Sequence, residues 1–245
     1  QIHGGAVTTT GAQAYGDAVT LGATTTLNAG VGNLTFSNTV NGAFDLTANS
    51  TGTTTFTGAV GNTDPLASLT TNPGGSTLIN GGSIATTGDQ TYNDAVTASG
   101  ATTLTASAGA LTATGIITAT AGTLTLAAEA TKNISFSNAG NNFGTVGIAS
   151  GNNVTLIDIN ALNLGTSTVS GNLNVITGGA ITQSAALSVM GNSNFAASAN
   201  AITLTQTNDF TGAVSATNTG ANAIQLTDTN AIQLGTITTA NSLTV

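Results

Sequence analysis

The sequence predicts an all-β protein built as a parallel β-helix, a solenoid of roughly 20-residue coils. Three observations predict it. Short segments alternate apolar and polar residues with period 2, and no segment long enough for a helix carries a helical stripe. Gly-Asn recurs at Gly151, Gly171 and Gly191, at even intervals of 20. Finally, the stretch Gly11–Leu34 returns as Gly88–Leu111, at an offset of 77 without a gap and identical at 13 of 24 positions.

Taken in order, the strand signals are 33–36 (NLTF), 123–126 (TLTL), 133–136 (NISF), 153–156 (NVTL), 172–175 (NLNV), 201–204 (AITL), 223–226 (AIQL) and 242–245 (SLTV). In each, one side chain points inward and the next outward, as the pleat requires. Thr, Val and Ile are frequent, and β-branched residues suit strands. Gly and Asn between the strands mark corners, which call for residues tolerant of positive φ. Pro65 and Pro73 both fall within Asp64–Ser76, where Asn72-Pro73-Gly74-Gly75 reads as a loop protruding between coils.

The offset of 77 is close to four coils, which places Tyr15/Tyr92 and Asp17/Asp94 at equivalent corners. A second repeat family follows: Asp158–Thr166 (DINALNLGT) matches Asp228–Thr236 (DTNAIQLGT). The expected organisation is one continuous rod over residues 1–245, with one repeat family in 1–132 and the other in 133–245. At about 4.8 Å per stacked strand, roughly 12 coils give a rod on the order of 60 Å long. The chain opens on Gln and closes at Asn241–Val245 in mid-repeat. It is therefore expected to be a segment of a longer protein whose caps lie outside it. End-to-end stacking of rods, which does not close, is the alternative.

Composition removes several function classes. Charged residues are 4% of the chain, against roughly 25% in ordinary globular domains. Lys132 is the single basic residue apart from His3, and the net charge is −8. Phosphate neutralisation needs several Lys or Arg, so no nucleic-acid partner is expected, nor attraction to an anionic membrane. There is no Cys, which excludes disulfides and thiolate chemistry. No apolar run long enough to span a membrane and no signal-like leader is present.

No catalytic, cofactor-binding or metal site is expected. Acid–base catalysis on a sugar needs carboxylates converging within about 5–10 Å. Asp17 and Asp94, four coils apart, would lie about 19 Å apart along the axis, and Asp158 and Asp228 are similarly distant. Asp89 and Asp94 could share one coil, but no Arg is available and only Lys132 could assist. These Asp residues read as turn formers that bond nearby backbone N–H groups. Asn62-Thr63-Asp64 and Asn208-Asp209 offer oxygens without a full calcium set, and His3 alone makes no zinc site. The Thr-x-Thr pairs at Thr8, Thr24, Thr53, Thr103 and Thr123 would present hydroxyl arrays if stacked, which makes an ice-binding solenoid one alternative. The Asn-x-Ser/Thr triplets at Asn33, Asn49, Asn133 and Asn153 are expected by chance in so Asn- and Thr-rich a chain. Tyr15 and Tyr92 are expected beside corners with their hydroxyls in solvent.

The segments Gln90–Thr97 (QTYNDAVT), Gly171–Val189 (GNLNVITGGAITQSAALSV) and Asn208–Thr236 resemble the repeats of filamentous haemagglutinin-like giant bacterial exoproteins. That resemblance implies a right-handed β-helix shaft, exported and displayed on the bacterial surface or released. It also implies roles in adhesion, aggregation or biofilm matrix. The expected function is thus a non-enzymatic stalk, with other segments of the same filament as partners. A module that itself binds polysaccharide or its own copies is the alternative.

Overall fold

Strands such as Thr53–Phe56, Ser68–Thr71 and Ser76–Ile79 bury every second residue, the consequence of a two-residue pleat with one wet side. In the computed structural model, which describes residues 1–245, strands of this kind and no helices make up the regular structure. They wind into a parallel β-solenoid of about 11 turns, with coils about 21 residues apart.

Each coil has three faces. The first is a sheet of 12 strands, from Ala6–Thr8 through Gln90–Tyr92 to Leu234–Thr238. The second runs from Gln13–Tyr15 to Leu243–Thr244 in a sheet of 15 strands. The third begins as the separate pair Val19–Thr20 and Val40–Asn41, continues through single bridges at Val60 and Ile84, and then joins the second face's sheet. From Ile117–Ala128 onward the corner between the second and third faces opens into a bend. Single strands of 12, 9, 8 and 9 residues (Ile117–Ala128, Asn142–Ser150, Leu162–Val169 and Ile202–Phe210) cross it.

The interior is one cluster of 50 buried apolar residues. It is filled by rows that follow the register. On the first face Ala113, Phe136, Leu156, Val175, Phe195 and Ala216 lie over one another on successive coils. On the second, Tyr15, Phe36 and Phe56 stack with ring centroids 5.1 and 5.2 Å apart, within the range that favours aromatic pairs.

The copies Gly11–Leu34 and Gly88–Leu111 are not four coils apart. On the second face Tyr15 is followed by Phe36, Phe56, Ile79 and Ala98. Tyr92 arrives just before Ala98, on the first face. A face takes about a third of a coil of about 21 residues, so an offset of 77 spans eleven faces, one short of four coils. The repeated unit is a corner with its flanking strands, and it is used on two different sides of the solenoid. The segment Asn72–Gly75 also differs from expectation. It is a short corner between strand Ser68–Thr71 of the first face and strand Ser76–Ile79 of the second, with no protruding loop.

Candidate functional site

The polar residues fall into two groups, those that close corners and those that face solvent. Gln13 and Gln90 close corners. Gln90 Nε2 donates to Ile84 O, Thr86 Oγ1 and Thr105 O (3.2, 3.3 and 2.8 Å), and Tyr92 OH donates to Gln90 Oε1 at 2.8 Å. Gln13, its counterpart in the first copy, makes the same contacts with Val7 O, Thr9 Oγ1 and Asn28 O, and Tyr15 OH donates to its Oε1 at 2.9 Å. The expectation of solvent-facing tyrosine hydroxyls is therefore overturned. Tyr92 is fully buried, and burial, reinforced by Asp94, pushes its phenol far above its ordinary range. The Gln two residues earlier lies on the same inward side of the strand and supplies the acceptor.

A second corner type uses Asn and Asp. Asn141 Oδ1 accepts from Ile117 N at 2.8 Å, and its Nδ2 donates to Phe136 O and Ile157 O, both at 3.1 Å. Asn208 repeats this with Leu187 N, Leu204 O and Thr227 O. Beside them, Asp158 Oδ1 accepts from Phe143 N (2.9 Å) and Asp228 Oδ1 from Phe210 N (3.1 Å). The Oδ2 atom of each Asp is buried without a partner. Burial raises the Asp158 carboxyl above its usual range, against the backbone N–H bonds that lower it.

Asp94 does not sit in a turn bonding its neighbours, as the sequence implied. It is 3% exposed and accepts from the hydroxyls of Thr71 (2.6 Å) and Thr77 (2.7 Å). Burial raises its carboxyl, and the two hydroxyls partly offset this. Its expected companion Asp89 lies at the other end of the strand Gln90–Tyr92 and accepts from Ala110 N at 2.8 Å. Asp45 holds Thr24 and Ser68 across coils. No group of three or more His, Cys, Asp or Glu is close enough to hold a metal ion. The backbone N–H groups of Thr63 and Asp64 are held by Asn41 Oδ1, and His3 contacts Gln1.

The Gly-Asn corners form a ladder. Asn153 N donates to Asn133 Oδ1 (3.2 Å), Asn172 N to Asn153 Oδ1 (3.1 Å), Asn192 N to Asn172 Oδ1 (2.8 Å) and Ala213 N to Asn192 Oδ1 (3.0 Å). At Gly151, Gly171 and Gly191 the glycine is there for space, not for positive φ. The positive-φ glycines are Gly30, Gly42, Gly61, Gly74, Gly82 and Gly122. A Cβ on Gly191 would instead lie 2.6 Å from both Asn172 Oδ1 and the Gly171 backbone.

Outward residues make two surface features. On the first face Thr26, Thr47, Thr70, Thr91, Thr112, Ser135 and Thr155 stand over one another in register on consecutive coils, each half-buried. This single row is not the paired array the Thr-x-Thr motifs promised. Those pairs are dispersed, Thr24/Thr26 on the first face, Thr53/Thr55 on the second, and Thr103/Thr105 and Thr123/Thr125 on the third. The other feature is a groove of about 380 Å³ where the second and third faces bend into each other. Thr123, Thr125, Thr145, Gly147, Gly165, Thr166 and Ser184 line it with Ala149 and Ala185. No local sequence signal marks it, because it exists only through the register of four coils.

A family model described as repeats of unknown function (DUF5649) matches residues 81–150 and again 151–217. No curated protein and no solved structure matches the chain. The Asn141 and Asn208 corners fall one in each matched unit, at an offset of 67. With three faces to a coil of about 21 residues, each unit advances the pattern by roughly ten faces, so equivalent corners in the two units lie on different sides.

Proposed function

The chain belongs to the DUF5649 family of repeats, whose function is unknown, and we propose from its architecture that it is a rigid, non-catalytic spacer in an exported bacterial adhesin or extracellular filament. The observation that carries the reading is the unbroken first-face ladder of 12 parallel strands over a single apolar core. Such a ladder resists bending along its whole length, because every coil is hydrogen-bonded to both neighbours. At about 4.8 Å per step, eleven steps span on the order of 53 Å. The polar chemistry supports the same reading, since Gln90, Asn141, Asp94 and Asn172 are committed to internal bonds. A surface almost without charge suits a stalk that touches many things weakly. Antibody labelling of intact bacteria that carry the natural gene tests it. Labelling without permeabilisation is expected, and signal only after lysis would overturn the exported-spacer reading.

A further inference from the structure

We propose that the groove between the second and third faces binds an uncharged, linear polyhydroxylated chain, of the class of a neutral glycan, laid along the solenoid axis. The lining residues come from four successive coils: Thr123 and Thr125, then Thr145, Gly147 and Ala149, then Gly165 and Thr166, then Ser184 and Ala185. Three coil steps make a trough about 14 Å long, open along the axis and suited to a chain more than to a compact ligand. Its volume of about 380 Å³ lies within the roughly 300–1,000 Å³ of ordinary ligand pockets.

Chemistry narrows the occupant. No lining residue is ionisable, and the net charge of −8 disfavours an anionic chain. Asn163 Nδ2 holds Thr145 Oγ1 and Ser184 Oγ at 3.2 and 3.0 Å, fixing one wall. Thr123, Thr125 and Thr166 belong to the lining, and each brings a hydroxyl able to donate and accept. An extended peptide is a poorer fit, because strand addition needs a free sheet edge. The strands that frame the groove are paired on both sides, and only Gly165 and Thr166 fall in the register break between them, too short a stretch to take up an added strand.

The floor gives an independent argument. Gly147 and Gly165 lie outside the positive-φ set. A Cβ would meet its nearest atom at 3.2 Å on Gly147 and at 3.5 Å on Gly165, against 1.7 Å on the corner residue Gly115. The backbone therefore has room for a side chain at Gly165 and nearly so at Gly147. What a side chain there would remove is the groove.

The test is an NMR titration of the ¹⁵N-labelled chain with three probes: a β-1,4-linked glucan tetrasaccharide, an α-1,4-linked glucan tetrasaccharide and a tetragalacturonate. At least one neutral probe should shift the amides of Thr123, Thr125, Gly147, Gly165 and Thr166. The galacturonate should bind at least tenfold more weakly. Gly165→Val, which fills the floor, and Thr166→Val, which removes a hydroxyl at constant shape, should each weaken binding about tenfold with an unchanged melting curve. If Gly165→Val fails to fold, Thr166→Val alone decides. The proposal is overturned if neither neutral probe shifts these amides up to about 10 mM, tenfold above a 1 mM constant. It is equally overturned if the shifts map to the first-face Thr row, if the galacturonate binds as well, or if Thr166→Val binds like the parent. None of these outcomes touches the spacer reading, which rests on the ladder and not on the groove.

Discussion

At the scale of single residues, this solenoid hides polar groups where its corners turn inward. Gln90 lies in an inward row between Leu69 and Leu111, a position that an apolar side chain would fill more simply. It is tolerable because its amide satisfies three acceptors and Tyr92 OH satisfies its oxygen. A buried polar group costs little only when fully bonded. Asp94 is less well served, a carboxyl held by two hydroxyls with no cation near. Burial raises both Asp94 and Asp158 in the folded chain above the unfolded value of 3.8. The folded state therefore holds protons that the unfolded state has released. Their stabilisation is complete below about pH 3.8 and is lost as pH rises through the raised values. Glu129, on the surface, is lowered by Thr131 and acts in the opposite sense. The chain should resist denaturant better near pH 4 than at pH 7, the reverse of ordinary acid lability. Asp94→Asn should flatten that dependence and match or exceed the parent at pH 7. Guanidinium midpoints across that range check it, and a parent midpoint that falls on acidification would contradict the assignment.

At the scale of elements, corners and not strands carry the specificity. Any Thr-x-Leu segment makes an acceptable strand here, whereas a corner needs residues that let one coil approach the next. Asn172→Ala removes one ladder acceptor and leaves Asn192 N–H to water at an exposed corner, a loss of about 0.5–1.5 kcal/mol. Gly191→Ala forces a Cβ against backbone atoms of Gly171 at 2.6 Å and must spread the coils. It should cost more than Asn172→Ala in thermal unfolding. The double variant should recover little, because the backbone contact persists without the Asn side chain; full recovery would show that the side-chain contact alone matters. Much of this scale was legible in advance. Period-2 alternation placed strands such as Ile134–Phe136, Val154–Asp158 and Leu173–Thr177, and the regular Gly-Asn punctuation located the ladder. Which face each strand occupies was not legible, since the three faces use near-identical arcs of chain and a copied corner fits any of them. The groove was hidden for a related reason. It depends on a short coil step, from Thr145 to Asn163, that follows a longer one from Thr123 to Thr145. Nothing local in the sequence announces a short coil.

At the scale of the whole molecule, stability should be distributed and failure local. Each coil bonds and packs only against its neighbours, so the solenoid approximates a one-dimensional array. Phe136 is fully buried between Ala113 below and Leu156 above. Removing its ring should cost about 3–5 kcal/mol, but that loss has no direct route to coils several steps away. Phe136→Ala should therefore lower amide-exchange protection in Leu111–Ala113, Ile134–Phe136 and Val154–Asp158. Protection should be spared in Asp45–Ser50 and Ser193–Ala196, four coils below and three coils above. Denaturation of the variant should broaden, as two-state behaviour fails when an array breaks in the middle. A uniform loss of protection along the chain would instead mean one cooperative unit, in which the core cluster of 50 residues behaves as a globular interior. The two outcomes bear on the spacer directly. A shaft that fails locally keeps its remaining coils aligned under load, whereas a globally cooperative one gives way at once along its whole length.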